Sequence, residues 1–257
     1  MRLAFIILLA FSCSNCFSQG EKTYKYDKKK EIILTSVGIG LNIIGYAMPV
    51  EQTTVATINK LNKSNIWSLD RSAVNNNSQK ARSISDVIQY SSMTLPLLIY
   101  ADSKVQSEGF TIGLMGIETL LLTNGITTVT KAAVQRFRPY TYNPEVPIED
   151  KLARKSRLSF FSGHTSVTTS MSFFAAKVLT DLRPGAKNNW MIWTLGATTP
   201  AVMAFLRYEG GNHYFSDVIT GYAVGALIGY LVPHSHLNKN INLGISSPGN
   251  LSLNLTF

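Results

Sequence analysis

Long apolar stretches separated by short polar segments are the main pattern along this chain. Each stretch is long enough for at least four helical turns. The first has no charged side chain over 19 residues, which is close to the length that a helix needs to cross a bilayer. We therefore predict an all-α, six-helix bundle that spans a membrane, with helices over Ile32 to Val50, Asp86 to Ala101, Gly109 to Thr130, His164 to Leu179, Trp190 to Leu206 and Ser216 to Val232.

The pattern changes at both ends of this bundle. Pro96 predicts a kink in the second helix, and Pro233 predicts the end of the sixth. Beyond Asn240 the residues alternate around Pro248-Gly249, which is typical of a short β-hairpin. The predicted organisation is a signal peptide, an N-terminal helix with a polar connection, the helical core and a C-terminal hairpin tail, with bounds 1–18, 19–83, 84–236 and 237–257.

Two features inside the helices predict how they pack. Gly221, Gly225 and Gly229 recur every four residues and so lie on one face of the sixth helix, which favours close contact with a neighbouring helix. Glu118 lies in the middle of the third helix. A charge facing lipid is costly, so we expect Glu118 to face the interior of the bundle and to have a structural role.

The first residues have the pattern of a secretory signal. Arg2 precedes nine apolar residues, and small residues precede Gln19, so cleavage is expected after Ser18. Cys13 and Cys16 are the only cysteines of the chain and both fall within this segment. The mature chain would then contain no thiol; a lipid-modified Cys13 is the alternative.

Composition narrows the class of partner. Only 15% of the residues are charged, whereas soluble domains average about 25%. The formal net charge is nonetheless +9, which favours anionic partners such as a phosphorylated lipid and the membrane surface. Nucleic acid is not expected, because the basic residues are dispersed and no nucleic-acid-binding motif is present. No feature indicates an obligate protein partner.

Three polar clusters interrupt the apolar pattern between residues 131 and 217. They read Lys131 with Arg138-Pro139, then Ser162-Gly163-His164, then Arg207 with His213 and Asp217. A phosphate monoester carries nearly two negative charges, and Lys131, Arg138 and Arg207 can supply matching cations. If the helices alternate in direction, all three clusters fall at the same end of the bundle.

The second and third clusters add groups suited to phosphoryl transfer. Ser162 and Gly163 precede a helix, whose first amides and dipole favour an anion. His213 and Asp217 are four residues apart, so on one helical turn the carboxylate can orient the imidazole. His213 is the candidate nucleophile and His164 the candidate general acid. No group of carboxylates suits magnesium, so no metal or other cofactor is expected at this site.

These clusters resemble the motifs of the type 2 phosphatidic acid phosphatases, the PAP2 and vanadium-haloperoxidase superfamily. The family pattern is a lysine, six residues and Arg-Pro; then Pro-Ser-Gly-His; then Ser-Arg, five residues, His, three residues and Asp. The resemblance covers about residues 84 to 232. Phe161 replaces the usual proline and Leu206 the usual serine, and neither position carries the family's chemistry.

The resemblance implies a metal-independent phosphatase that acts on a phosphate monoester or diphosphate, with a phosphohistidine intermediate. A membrane lipid is the expected substrate. Three alternatives stay open: a periplasmic non-specific acid phosphatase acting on soluble monoesters, a vanadate-dependent haloperoxidase, and a non-catalytic membrane scaffold or lipid-binding module.

The expected location is a bacterial-type cell envelope, as a multi-pass membrane protein after signal-directed export. A cleaved signal followed by three crossings would place the clusters on the cytoplasmic side, whereas many relatives act on lipids outside. An uncleaved N-terminus would remove this conflict. A soluble periplasmic bundle is the other alternative.

Overall fold

The structure, a computed structural model, describes residues 22–238, 240–246 and 250–256, and the prediction of a mostly helical fold is confirmed. The signal segment 1–18 lies outside the described residues, and the domain boundaries remain predictions. The α-helices are α1 Lys28–Ala47, α2 Val55–Asn59, α3 Gln79–Met93, α4 Leu95–Ile99, α5 Ser103–Ser107, α6 Gly109–Val134, α7 Ile148–Leu152, α8 Gly163–Asp181, α9 Asn189–Glu209 and α10 Phe215–His236. Four 3₁₀ turns cover Lys63–Asn65, Arg71–Asn75, Pro139–Tyr142 and Arg154–Arg157.

The second predicted helix is interrupted beside Pro96, and the prediction that Pro233 ends the last helix is wrong. The helix expected at 86–101 is two helices, because α3 ends before Thr94 and Pro96 lies in the first turn of α4, where its missing amide costs no helical hydrogen bond. Pro233 does not end the last helix, since α10 continues to His236. Pro233 is buried, so its packing contacts offset the hydrogen bond that it removes.

Helix α8 is the central element of the bundle. It packs against α3, α6, α9 and α10, and 13 of its 19 residues are buried. Many of these residues carry hydroxyl groups, and several of these groups bond to carbonyls of the preceding turn. Thr169 Oγ1 donates to Thr165 O at 2.7 Å, and Ser170 Oγ donates to Val167 O at 3.0 Å. A polar helix can therefore be buried without leaving those hydroxyls unpaired.

The glycine stripe of α10 lies directly against α8, as the spacing predicted. A methyl group added to Gly221 would lie 2.6 Å from Ser162 O, and one added to Gly225 would lie 2.3 Å from Ser166 O. Both distances are far below a van der Waals contact. The two backbones therefore approach as closely as they do only because these positions have no side chain.

The direction of the helices follows from these contacts. Residues 221 and 225 face residues 162 and 166, so α10 runs parallel to α8. Gly38 and Gly45 pack against Leu121 and Thr128 in the same way, so α1 runs parallel to α6. A methyl group on Gly163 would lie 3.6 Å from Lys131 Cε, so the C-terminal end of α6, the start of α8 and the start of α10 lie at one end of the bundle.

The N- and C-terminal parts of the described chain meet at the opposite end. Lys25 N donates to His236 O at 2.7 Å, and Tyr24 forms an isolated bridge with Leu237. Beyond α10, β1 Asn240–Ser246 and β2 Asn250–Thr256 pair antiparallel. Residues 247–249, which would connect these strands, lie outside the described residues.

Two stretches of the described chain are long and apolar enough to cross a membrane. They are Gly109–Tyr142, which is α6 with the 3₁₀ turn that follows it, and Phe215–His236, which is α10.

We expect Gly225→Ala to destabilise the protein, because the new methyl group would overlap Ser166 O, a backbone atom that cannot move independently. Overpacking of this kind typically lowers the free energy of unfolding by about 1–3 kcal/mol. Gly40→Ala is the matched control, since no atom lies within 4 Å of the added methyl and alanine favours a helix by up to about 1 kcal/mol. Thermal unfolding in detergent checks both; an unchanged Tm for Gly225→Ala would contradict the packing described.

Candidate active site

The end of α6 positions the first cluster. Lys131 lies in the last turn of the helix, and Gln135 ends it with a left-handed φ of 48°. The Gln135 side chain holds this turn by accepting a hydrogen bond from Glu51 N at 2.9 Å. The chain then reverses, so that Arg136 and Arg138 follow beside the helix end rather than extending it.

Lys131 and Arg138 are held by neutral carbonyl groups. Lys131 Nζ donates to Leu158 O at 2.7 Å and to Ser159 O at 3.2 Å. Arg138 Nε donates to Lys155 O at 2.9 Å, and its NH2 donates to Leu158 O at 3.4 Å. Among the residues that the structure describes, neither cation forms an ion pair. Their positive charge is therefore available to an anion.

The start of α8 lies beside these cations. Ser162 is the N-cap of the helix, and its hydroxyl accepts a hydrogen bond from Thr165 N. Gly163 follows, and a methyl group added there would lie 3.6 Å from Lys131 Cε. The N-terminus of α8 and the Lys131 side chain therefore border the same space, as the sequence predicted.

The turn between α9 and α10 brings in the third cluster. Arg207 is buried in the last turn of α9, and its Nε has no hydrogen-bond partner in the described chain. Gly211 adopts a φ of 65°, and a methyl group there would lie 2.0 Å from Asn76 O. This glycine permits the sharp turn that returns the chain to the site, where His213 is 1% exposed.

His213 and Asp217 are adjacent, but Asp217 is fixed mainly by other groups. His213 Nδ1 lies 3.5 Å from Asp217 Oδ2 and makes no hydrogen bond within the described residues. Asp217 accepts from Arg136 NH1 at 2.7 Å, from Ser159 Oγ at 2.5 Å and from Tyr214 N at 3.0 Å. A carboxylate held by three donors is rigidly placed, and it can orient the imidazole after a small movement.

His164 and Arg207 share a partner that the sequence analysis missed. Asp86 Oδ1, on α3, lies 3.0 Å from His164 Nε2 and 3.2 Å from Arg207 NH1. The neighbouring Ser85 Oγ accepts from Arg207 NH1 at 2.9 Å. Asp86 belongs to no recognised sequence motif. Only the tertiary structure therefore shows that it lies at the site.

Arg136 is a second missed residue, although it lies inside the first cluster. Its guanidinium bridges Asp217 and Asp70, each at 2.7 Å, and stacks on the Tyr214 ring at 3.9 Å. Asp70 also accepts from Ser216 N at 2.8 Å. Arg136 therefore links the end of α6 to the start of α10. Arg136 lies between Lys131 and Arg138 in the Lys-x₆-Arg-Pro motif, and this position is the sequence feature that could have identified it.

Direct contacts join all three clusters. Leu158 O accepts from both Lys131 and Arg138 of the first cluster, Gly163 of the second cluster borders the Lys131 side chain, and Ser162 N donates to the Asp217 carbonyl oxygen of the third at 3.0 Å. The structure therefore brings together every residue that the sequence singled out. These are Lys131, Arg138, Ser162, Gly163, His164, Arg207, His213 and Asp217.

The electrostatic environment keeps His213 neutral. Burial lowers the pKa of His213 well below its usual value, and the charges of Arg138, Lys131 and Arg207 lower it further. An uncharged imidazole has a free lone pair, which a nucleophile requires. The surrounding cations therefore bind an anion and also keep this side chain in its reactive form.

Comparisons with known proteins agree with this arrangement. The family model described as the PAP2 superfamily matches residues 114–241. A lipid A 4'-phosphatase from Porphyromonas gingivalis is 26% identical over 147 residues, or 56% of this chain. A PA-phosphatase related-family protein from Dictyostelium discoideum is 28% identical over 170 residues, or 61% of this chain. The chain belongs to the PAP2 superfamily.

The chain spans about three fifths of the length of these curated relatives, 58% and 61% respectively. Two solved structures are also similar. One is a transmembrane PAP2 type phosphatidylglycerolphosphate phosphatase from Bacillus subtilis, with a TM-score of 0.49 and 18% identity over 80% of this chain and 95% of that one. The other is LpxE from Aquifex aeolicus, with a TM-score of 0.44 and 19% identity over 65% of this chain and 95% of that one.

The lowered pKa of His213 predicts acid destabilisation. Between its folded pKa and the unfolded value of about 6.5, the unfolded chain binds more protons, so stability falls as pH falls below about 6.5. We expect His213→Asn to lose less Tm than the parent between about pH 7.5 and pH 5.5. Gly40→Ala, which removes no imidazole, should follow the parent. Equal losses in all three proteins would show that His213 is not a source of the acid sensitivity.

Proposed function

We propose that this protein is a phosphatase that hydrolyses a phosphate monoester or diphosphate of a membrane lipid through a phosphohistidine intermediate. The observation that carries the proposal is the meeting of three cations, two histidines and a helix N-terminus in one place. The similarity to a lipid A 4'-phosphatase supports the class of substrate.

The cations would bind and polarise the phosphoryl group. Within the described part of the chain, Lys131 and Arg138 have no carboxylate partner, and the buried Nε of Arg207 is unpaired and can donate to a phosphoryl oxygen. The backbone amides at the start of α8 supply further donors beside Lys131. Donors that are already in place when negative charge develops stabilise the transition state without reorganisation.

The two histidines would divide the chemistry between them. His213 Nε2 attacks phosphorus while the bond to the alkoxide oxygen breaks, and His164 donates a proton to that oxygen. His164 then takes a proton from water, which attacks the phosphohistidine. Inorganic phosphate leaves and His213 is regenerated. Asp217 orients His213 and stabilises the positive charge that develops on its ring.

A lipid substrate is consistent with the outer surface of the bundle. Large apolar side chains on several helices are exposed, among them Ile43 at 64% on α1, Leu97 at 76% on α4, Leu195 at 66% on α9 and Leu227 at 59% on α10. Apolar exposure on this scale is typical of contact with lipid. We propose that α1, α3, α6, α8, α9 and α10 form a transmembrane six-helix bundle with the site at one end.

Replacing the nucleophile tests the reaction. We expect His213→Asn to lower kcat by more than about 10³-fold, because no other group can form the phosphoryl-enzyme. Phosphate release would be measured with phosphatidate, phosphatidylglycerol phosphate, undecaprenyl diphosphate, lipid A phosphate and p-nitrophenyl phosphate. His234→Asn, a histidine at the other end of α10, is the control and should keep full activity. Ordinary turnover by His213→Asn would contradict the assignment.

The panel also separates the alternatives. Greater activity on lipids than on p-nitrophenyl phosphate supports a lipid phosphatase, and the reverse order supports a non-specific acid phosphatase. Halide oxidation by peroxide after vanadate addition would indicate the haloperoxidase reaction instead. We expect vanadate to inhibit phosphate release, because it resembles phosphate in the same pocket.

Asp86 would position His164 for proton transfer, since its Oδ1 lies 3.0 Å from His164 Nε2 and can hold the imidazole in one orientation. We expect Asp86→Asn to slow the release of an alkyl alcohol by about tenfold, less than the roughly 10²-fold contribution of a complete general acid. Single-turnover release of p-nitrophenol should change little, because this leaving group needs no proton. Equal losses with both leaving groups would mean that Asp86 serves the structure rather than proton transfer.

A further inference from the structure

Three buried ionisable side chains meet near the end of the bundle opposite the candidate active site. Glu31, Glu118 and His236 come from α1, α6 and α10 and are 4%, 0% and 1% exposed. Glu118 precedes Lys131 by thirteen residues on α6, which corresponds to about 20 Å along the helix. The group is therefore separate from the phosphoryl-transfer residues. Glu118 faces the interior, as the sequence predicted.

The three ligand-type atoms are spaced like the corners of a zinc site. They lie within 4.8 Å of one another. His236 Nε2 is 3.1 Å from Glu31 Oε2 and 3.6 Å from Glu118 Oε2. Zinc bonds to nitrogen and oxygen of 2.0–2.1 Å in a tetrahedron would place neighbouring ligand atoms about 3.3 Å apart. Both observed separations agree with that value to within a few tenths of an ångström.

In each of these side chains, the oxygen or nitrogen that faces away from the cluster also has a hydrogen-bond partner. Glu31 Oε1 accepts from Asp27 N at 3.3 Å, and Glu118 Oε1 accepts from Thr35 Oγ1 at 3.3 Å. His236 Nδ1 lies 2.7 Å from Val232 O, and 3.1 Å from the neighbouring Ser235 Oγ. A carbonyl can only accept, so Nδ1 carries the hydrogen and Nε2 is directed towards the carboxylates. Such outer hydrogen bonds typically orient the ligands of a metal.

A single proton satisfies only two of the three facing atoms. A hydrogen shared by Glu118 and Glu31 leaves His236 Nε2 without a donor, and a hydrogen on Nε2 that bonds to Glu31 leaves Glu118 Oε2 without a hydrogen-bond partner within the described residues. An unpaired carboxylate oxygen at 0% exposure is costly. A divalent cation between the three atoms would satisfy both oxygens and the nitrogen at once.

The charges favour the same conclusion. Two carboxylates and a neutral imidazole carry a charge of −2, which one divalent cation neutralises. Lys30 is the nearby basic group, and its Nζ donates to Ser235 O at 3.0 Å. One imidazole with two carboxylates is a ligand set for zinc, whereas magnesium and calcium prefer oxygen alone.

We propose that Glu31, Glu118 and His236 bind one Zn²⁺ ion that joins α1, α6 and α10. The role is structural. A metal shared by three helices stabilises the folded state over the unfolded chain, in which these ligands are far apart. The proposal does not depend on the phosphatase assignment, because the two sites share no residue.

The test uses the full chain in detergent, first treated with chelator and then exchanged into zinc-containing buffer. After removal of free metal, mass spectrometry should find one zinc per chain, and zinc should raise the Tm. Magnesium and calcium at the same concentration should do neither. X-ray absorption of the bound zinc should show one imidazole among oxygen ligands.

Matched variants locate the ion. Glu118→Gln and His236→Gln should each weaken zinc binding by at least about tenfold. His234→Gln, one half-turn earlier on α10, should bind zinc as the parent does. His213→Asn should also retain it, which excludes the histidines of the phosphoryl-transfer site. The readout is zinc content, so loss of phosphatase activity has no bearing on the result.

Three results would overturn the proposal. The first is a parent protein that takes up no stoichiometric zinc, which would leave a proton-linked carboxylate and imidazole network. The second is zinc that remains bound in His236→Gln. The third is zinc that is lost in His213→Asn or shows two imidazole ligands, either of which would place it at the other site. If a variant fails to fold, zinc content, Tm and X-ray absorption of the parent still decide the question.

Discussion

Mutual repulsion between basic side chains is the constraint on which the rest of this structure depends. Lys131, Arg138 and Arg207 lie around one space, and two unit charges roughly 5 Å apart repel by about 3 kcal/mol at an effective dielectric of 20. Ion pairs would relieve the repulsion but would also cancel the attraction for an anion. Lys131 and Arg138 are instead held by carbonyl oxygens, which fix their position and leave their charge in place.

The close contact between α8 and α10 makes this arrangement possible. Gly221 lies directly against Ser162, and Ser162 N donates to the Asp217 carbonyl, so the two helices begin side by side. Arg136 then neutralises the buried Asp217 and Asp70 carboxylates. One arginine is thus used for structural ion pairing, and its neighbours remain available to bind phosphate.

The need to pair or neutralise buried charge also constrains the other end of the bundle. Glu31, Glu118 and His236 are buried among helices whose outer surfaces are apolar, and buried charge must be paired or neutralised. Both ends of the protein therefore carry concentrated polar groups, with hydroxyl-rich α8 between them. Several of its hydroxyl groups, such as those of Thr169 and Ser170, bond to carbonyls of their own helix and are therefore buried with a partner.

The sequence alone determined the mostly helical fold, the glycine contact face and the interior position of Glu118, and it predicted the eight candidate site residues that the structure brings together. Helix periodicity and motif spacing are local properties, which explains this success. Only the tertiary structure decided the partners contributed by distant segments, namely Asp86 beside His164, Ser159 and Arg136 on Asp217, and Glu31 with His236. It also decided that α10 continues past Pro233, because packing there outweighs the local preference of proline. A contact between residues far apart in sequence depends on helix direction and rotation, which no single segment encodes.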